Sequence, residues 1–189
     1  GKEGMKDALV MVEFAEKALA LPAGFTLVGS TGRIGVMLPM DNVRAGIIEA
    51  AVELGSTPNH AAQAAEAIMT SDTCAKQIAV EFRLAAKKVR IGGICKGAGM
   101  IQPGMSATGK RPAAAPLHAT MLSFITTDAA IEPRALQAPL KGAVAHSFNR
   151  ITVDGDMSTN DTVLVLANGM AGNPPIHAPR ITYHASRIT

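Results

Sequence analysis

A threonine hydroxyl is a poor nucleophile until a base stands beside it. A free α-amine on the same residue can be that base, since its pKa is about 8. Such an amine exists only where the chain has been cut immediately before the threonine. Thr120 is placed for this. Ala119 precedes it, and residues 121–126 behind it read as an apolar strand, so it stands at the seam between irregular chain and sheet. Acyl transfer also needs donors aimed at the tetrahedral oxyanion, often a backbone N–H with a hydroxyl. Small residues following a strand, such as Thr31 and Gly32, can supply that pair. Ala107-Thr108 is a competing Ala-Thr step, but Gly109-Lys110 follows it in place of a strand. By residue type alone the other reading stays open, that these threonines are simply strand formers.

Other chemistries fit less well. Asp154-Gly155-Asp156-Met157-Ser158-Thr159-Asn160 opens like a calcium loop, yet Thr159 occupies the sixth place where glycine is required. Val165 stands twelfth, where a bidentate glutamate belongs, so a polar turn is the better reading. The histidines at 60, 118, 146, 177 and 184 show no ligand spacing and read as surface or capping residues; no metal site is expected. Residues 29–35 lack the Lys-Ser/Thr ending of a phosphate loop. Gly97-Ala98-Gly99 has Gln102 where a dinucleotide loop needs its third glycine.

Composition narrows the classes further. Apolar residues make up 48% of the 189 and charged residues 17%, enough to bury a core and too apolar for a disordered chain. Five Phe, one Tyr and no Trp argue against stacking on bases, and a net charge of +3 without long basic runs argues against nucleic-acid or membrane-surface binding. No apolar run reaches the roughly 18 residues that would span a bilayer. Two cysteines, Cys74 and Cys95, form neither a disulfide framework nor a zinc pattern, which suits a reducing compartment and makes the cytoplasm the expected location.

The elements that must position these residues follow from periodicity. Residues 5–20 predict an amphipathic helix ended by Pro22, and Phe25, Leu27 and Val28 a short strand-like run into the glycine turn at 29–35. Asp41 is an N-cap candidate for a helix stopped by Gly55, and an alanine-rich helix covers 59–69. Ile78, Val80, Phe82 and Leu84 alternate with Ala79, Glu81 and Arg83 as a half-buried strand. After a Lys87-Lys88 turn, Val89 and Ile91 predict its antiparallel partner. Glu132-Pro133 opens a helix bearing Leu136, Leu140 and Val144, with Pro139 inside it as a cost. Ile151 and Val153 predict a strand; residues 163–167 fit a buried helix or strand equally. The mixture is an α/β or α+β layered domain.

Four separated segments together resemble one family, the ornithine acetyltransferases, which are the bifunctional glutamate N-acetyltransferases of arginine biosynthesis. They are Ser30-Thr31-Gly32-Arg33-Ile34-Gly35 with Leu38-Pro39-Met40; Ile68-Met69-Thr70-Ser71-Asp72; Lys96-Gly97-Ala98-Gly99-Met100 followed by Ala119-Thr120-Met121-Leu122 and Thr126-Thr127-Asp128; and Phe148-Asn149-Arg150 with Asp154-Gly155 and Ser158-Thr159-Asn160-Asp161. The resemblance covers residues 1–175 and leaves 176–189 as an unassigned tail. It implies a self-cleaving threonine-nucleophile enzyme of layered α-β-β-α type, with helices covering mixed sheets. Cleavage between Ala119 and Thr120 would give an α chain, 1–119, and a β chain, 120–189, assembling as α2β2.

In the implied roles Thr120 is nucleophile and substrate contact, Thr31 and Gly32 stabilise the oxyanion, and Thr70 and Lys96 contact substrate. Lys96 makes physical sense as partner to the carboxylate of an amino acid. The implied reaction moves acetyl from N-acetylornithine through a Thr120 ester to glutamate. Acetyl-CoA is a further donor in some members, and no metal or bound cofactor is required. The sequence departs from the family at 106–118, a 13-residue insertion before the scissile bond. By the same resemblance the chain starts inside the family's N-terminal region and ends short of its C-terminal one. Two rivals remain: an N-terminal-nucleophile aminopeptidase or amidase, which hands the acyl group to water, and a non-catalytic fragment acting only in assembly.

Overall fold

The alternating run at residues 78–84 becomes the edge of a four-stranded sheet, but it is not half-buried as expected, since Ile78, Val80 and Phe82 stay exposed on this edge strand. A computed structural model describes residues 2–32, 35–105 and 121–178. Its strands are β1 (Lys76–Leu84), β2 (Lys87–Lys96), β3 (Leu122–Thr127) and β4 (Thr162–Ala167), neighbours in that order. β1–β2 and β2–β3 are antiparallel and β3–β4 is parallel, so the sheet is mixed. Leu84 pairs with Lys87, leaving Ala85 and Ala86 as the two-residue turn, both at positive φ (47° and 64°). The expected Lys87-Lys88 turn is thereby corrected: both lysines lie within β2, because a two-residue hairpin of this hand needs its positive φ one step earlier.

The ambiguous run at 163–167 is strand. A parallel neighbour requires a crossover, and helix α4 (Pro133–His146), with the 3-10 turn Phe148–Arg150, supplies it. Pro139 lies inside α4 as expected, and a groove of about 420 Å³ separates Leu136 and Leu140 from Val163 and Val165. The other helices are α1 (Lys2–Ala18), α2 (Met40–Val52) and α3 (Pro58–Ala67). α1 packs on α2, where the Arg44 guanidinium lies 5.5 Å over the Phe14 ring, and α3 packs on β1 and β2. Thr57 precedes α3, with its hydroxyl 2.6 Å from Nδ1 of His60 in a capping box. Among the described residues no helix is long and apolar enough to cross a membrane.

Four local expectations are overturned. Asp41 does not cap α2: the carbonyl of Pro39 already accepts the Val43 N–H at 3.0 Å, so the helix starts at Met40 and Asp41 sits in its first turn, bonded to Arg44. Gly55 does not stop α2 either, since the helix ends at Val52 with Glu53 as its cap. Ile151 and Val153 are not a strand. Val153 donates one backbone bond to Ile101 at 2.8 Å, and both side chains stay 47% and 61% exposed. Nor do Phe25, Leu27 and Val28 join the sheet. The Glu16 carboxylate takes the N–H groups of Gly24, Phe25 and Thr26 instead, folding that strip back on α1.

The core lies where β2 and β3 meet the loops beyond them: Val89, Met100, Ile101, Met121 and Leu122 are buried. The chain also stays in the fold past residue 175. Ile176 bridges Ile131, and His177 pairs with Glu132 at 2.6 Å. Helices on a mixed sheet match the expected α/β class; the described strands form a single sheet.

Candidate functional site

Lys96 is the last residue of β2 and pairs in register with Leu122, the first residue of β3. A lysine at the end of a central strand would ordinarily reach water, yet this one is 2% exposed. Its Nζ lies 3.5 Å from Oγ1 of Thr31, which is 65 positions upstream. Thr31 reaches it because the strip before it crosses β3. Gly29 lies against the Phe124 ring so closely that a Cβ there would stand 2.8 Å from Cζ. Burial pulls the Lys96 ammonium below its ordinary value; the negative charges of Asp72 and Asp161 oppose that, and the Lys76 charge adds to it.

Thr70 lies in the turn after α3, and its N–H donates to Oδ2 of Asp72 at 3.2 Å. Asp72 was missed as a site residue. Its side chain is fully buried, and Oδ1 accepts both the Gly97 N–H at 2.7 Å and the Lys76 ammonium. Burial raises its carboxyl, but the Lys76 and backbone bonds and the Lys76 charge outweigh this and bring it to about 2, from an ordinary 3.8. The fold therefore holds this carboxylate ionised, and the stabilisation is complete above the ordinary value. It disappears as pH falls from about 4 towards 2. Urea midpoints measured across that window should fall with pH in the native chain and fall less steeply in Asp72→Asn. Equal slopes would contradict this assignment.

The fourth motif segment anchors what surrounds the lysine. Asp154 accepts the N–H groups of Met100 and Ile101 (3.0 Å to the latter), fixing the chain after the glycine corner. A bond from the Asp156 N–H, with those two, holds the Asp154 carboxyl below its ordinary value against burial. Asn149 clasps the backbone of Met105 in both directions, at 3.0 and 2.9 Å. Asp161 accepts the Met121 N–H at 2.8 Å. This segment is a brace, in keeping with the polar-turn reading, and it grips the described chain on both sides of residues 106–120.

Of the expected site residues, Thr31 and Lys96 meet directly, and Thr70 joins them through Asp72. Gly32 lies next to Thr31 in irregular, exposed chain, where a Cβ would meet nothing within 4 Å. Ala119, Thr120, the Ala107-Thr108 step and the insertion at 106–118 fall outside the described residues. A buried ammonium beside a hydroxyl is suited to an anionic ligand, a carboxylate or an oxyanion. Asp72 had a sequence signal, an acid in a turn with Lys76 four residues on.

Three comparisons bear on this arrangement. The ArgJ family model matches residues 1–186, past the 175 drawn from motifs. The arginine biosynthesis bifunctional protein ArgJ of Symbiobacterium thermophilum is 50% identical over 185 residues, 98% of this chain and 42% of that protein. A glutamate N-acetyltransferase of Methanococcus maripaludis is 49% identical over 171 residues, 90% of this chain and 39% of that one. The chain thus spans about two fifths of the length of these curated relatives. The crystal structure of ArgJ from Bacillus halodurans superposes with a TM-score of 0.51 at 37% identity, covering 56% of this chain and 55% of that one.

Proposed function

The chain belongs to the ArgJ family, and from that premise we propose that it is the part of a glutamate N-acetyltransferase carrying the nucleophile. The reading is acetyl transfer from N-acetylornithine to glutamate after self-cleavage between Ala119 and Thr120. The Thr120 hydroxyl attacks the acetyl carbonyl and gives its proton to the Thr120 α-amine. The amide C–N bond breaks, ornithine leaves with that proton, and the acetyl group stays as a threonine ester. The amine of glutamate then attacks the ester, and N-acetylglutamate departs as the hydroxyl re-forms. Thr31 and Gly32 stabilise the two oxyanions, and Lys96 and Thr70 hold the amino-acid carboxylate.

The observation that carries this reading is the 3.5 Å meeting of Lys96 and Thr31 beside the start of β3. It joins two motif segments 65 residues apart, as a shared pocket requires. The relatives' names support the activity, one as a glutamate N-acetyltransferase and another as a bifunctional protein of arginine biosynthesis. Acetyl-CoA is a second donor on this reading, no cofactor takes part, and the cleaved chains assemble as α2β2. Free thiols at Cys74 and Cys95 support a cytoplasmic location.

Intact mass under denaturing conditions tests the maturation. Cleavage yields pieces of 119 and 70 residues (189 − 119 = 70), and Thr120→Ala yields one uncut chain. A single 19.5 kDa species from the native sequence would overturn self-cleavage. Formation of N-acetylglutamate, set against release of free acetate, separates a transferase from an amidase.

A further inference from the structure

Asp72 joins two of the segments that meet near Lys96. Its Oδ2 holds the Thr70 N–H and its Oδ1 holds the N–H of Gly97, the residue directly after Lys96. Neither bond belongs to a helix or a strand ladder; the Thr70 turn is exposed, but the Gly97 amide is part-buried and without this carboxylate would need another acceptor. The Gly97 corner has no slack, because its φ is +145° and the Ile101 side chain closes over it. Lys76 approaches from β1 and fixes the carboxylate in turn. Two segments 25 residues apart are thereby tied to one side chain.

We propose that Asp72 is the positioning residue of this pocket. Its buried carboxylate, held by Lys76, ties the Thr70 turn and the Lys96–Gly97 corner into one arrangement. The inference deepens the acyl-transfer reading and rests on it for what the pocket binds. Among the described residues the charged groups acting on Lys96 are Asp72, Lys76 from β1 and Asp161 ahead of β4. Asp72 and Asp161 favour the charged lysine and Lys76 disfavours it. A purely structural Asp72 would affect stability and leave the lysine's titration where it is.

The full 189-residue chain, labelled with 13C at the lysine ε-carbon, allows the Lys96 titration to be followed by NMR, with Lys96→Arg to assign the signal. Asp72→Asn should move the Lys96 midpoint to lower pH, and Asp72→Glu, which keeps the charge, should return it towards the native value. Lys76→Met, which leaves both backbone bonds to Asp72 in place, should move it to higher pH. In acetyl transfer Asp72→Asn should raise KM for N-acetylornithine about tenfold with kcat changed less than about threefold, the pattern of lost ground-state binding. An unmoved or higher midpoint in Asp72→Asn overturns the proposal. If that variant does not fold, Lys76→Met decides, and failure of its midpoint to rise overturns it equally. A native chain that makes no N-acetylglutamate counts against the acyl-transfer reading alone, whereas an unmoved midpoint in an active chain counts against Asp72 alone.

Discussion

Lys96→Met is expected to lower kcat/KM for acetyl transfer by at least about 100-fold while leaving the urea midpoint unchanged or slightly higher. Truncating one partner of a buried, hydrogen-bonded charge pair costs about 2–5 kcal/mol of binding, and the upper half of that range corresponds to 100-fold or more. The stability half of the expectation has a separate cause. An ammonium only 2% exposed is held against its own desolvation, and a thioether of similar length carries no such penalty. The carboxylates left behind are not stranded, because Asp72 keeps Lys76, Gly97 and Thr70, and Asp161 keeps the Met121 N–H. Activity within a few-fold of native would remove Lys96 from the substrate site. Activity lost together with the fold would make it a structural residue.

The parts of the fold legible in the sequence are those where one face is polar. In β1 the polar face is marked by Glu81 bonding Arg90, while the apolar face of Ile78, Val80 and Phe82 is itself exposed, so the period is legible without the burial. The antiparallel partner follows from a hairpin too short to go elsewhere. β4 was undecidable for the opposite reason. Its side chains at 162–165 are all partly covered, so no period separates strand from helix. Its assignment depends on β3 lying beside it, which is a tertiary fact. Ile151 and Val153 show the reverse error: two apolar residues one apart are too few to define a period, and a single backbone bond to Ile101 is all that segment makes of its extended shape.

The site divides in the same way. Composition and spacing reached a threonine nucleophile with Thr31 and Gly32 as one of two open readings, and the family resemblance chose between them. Neither could place Thr31 on Lys96, because that contact depends on the strip at 24–26 folding on Glu16 and on Gly29 clearing Phe124. Asp72 lay inside a quoted motif without a role. Its importance lies in backbone N–H groups, which carry no residue identity, so that Lys76 four residues on is its one mark in the sequence.

Gly97→Ala should lose about 3 kcal/mol of stability, combining left-handed backbone strain with overpacking. It should also lose most of the activity, whereas Gly93→Ala, four residues earlier and inside β2, should be nearly neutral in both. The two glycines differ in physical circumstance. At Gly97 φ is +145°, a conformation L side chains rarely adopt, and a Cβ would stand 2.6 Å from Cδ1 of Ile101, itself buried and anchored through its N–H to Asp154. At Gly93 the nearest atoms would be Cγ1 of Ile125 at 3.6 Å and the Phe124 carbonyl at 3.8 Å, ordinary contact in an ordinary strand. Relief at Gly97 can come only by moving the Ile101 side chain or by turning the peptide after Lys96. Turning that peptide withdraws the N–H that Asp72 holds and swings the ammonium away from Thr31. Urea denaturation and acetyl-transfer rates of the two variants, taken side by side, check this directly. Equal midpoints for the pair would mean that the corner yields freely, and the pocket could then not owe its shape to it.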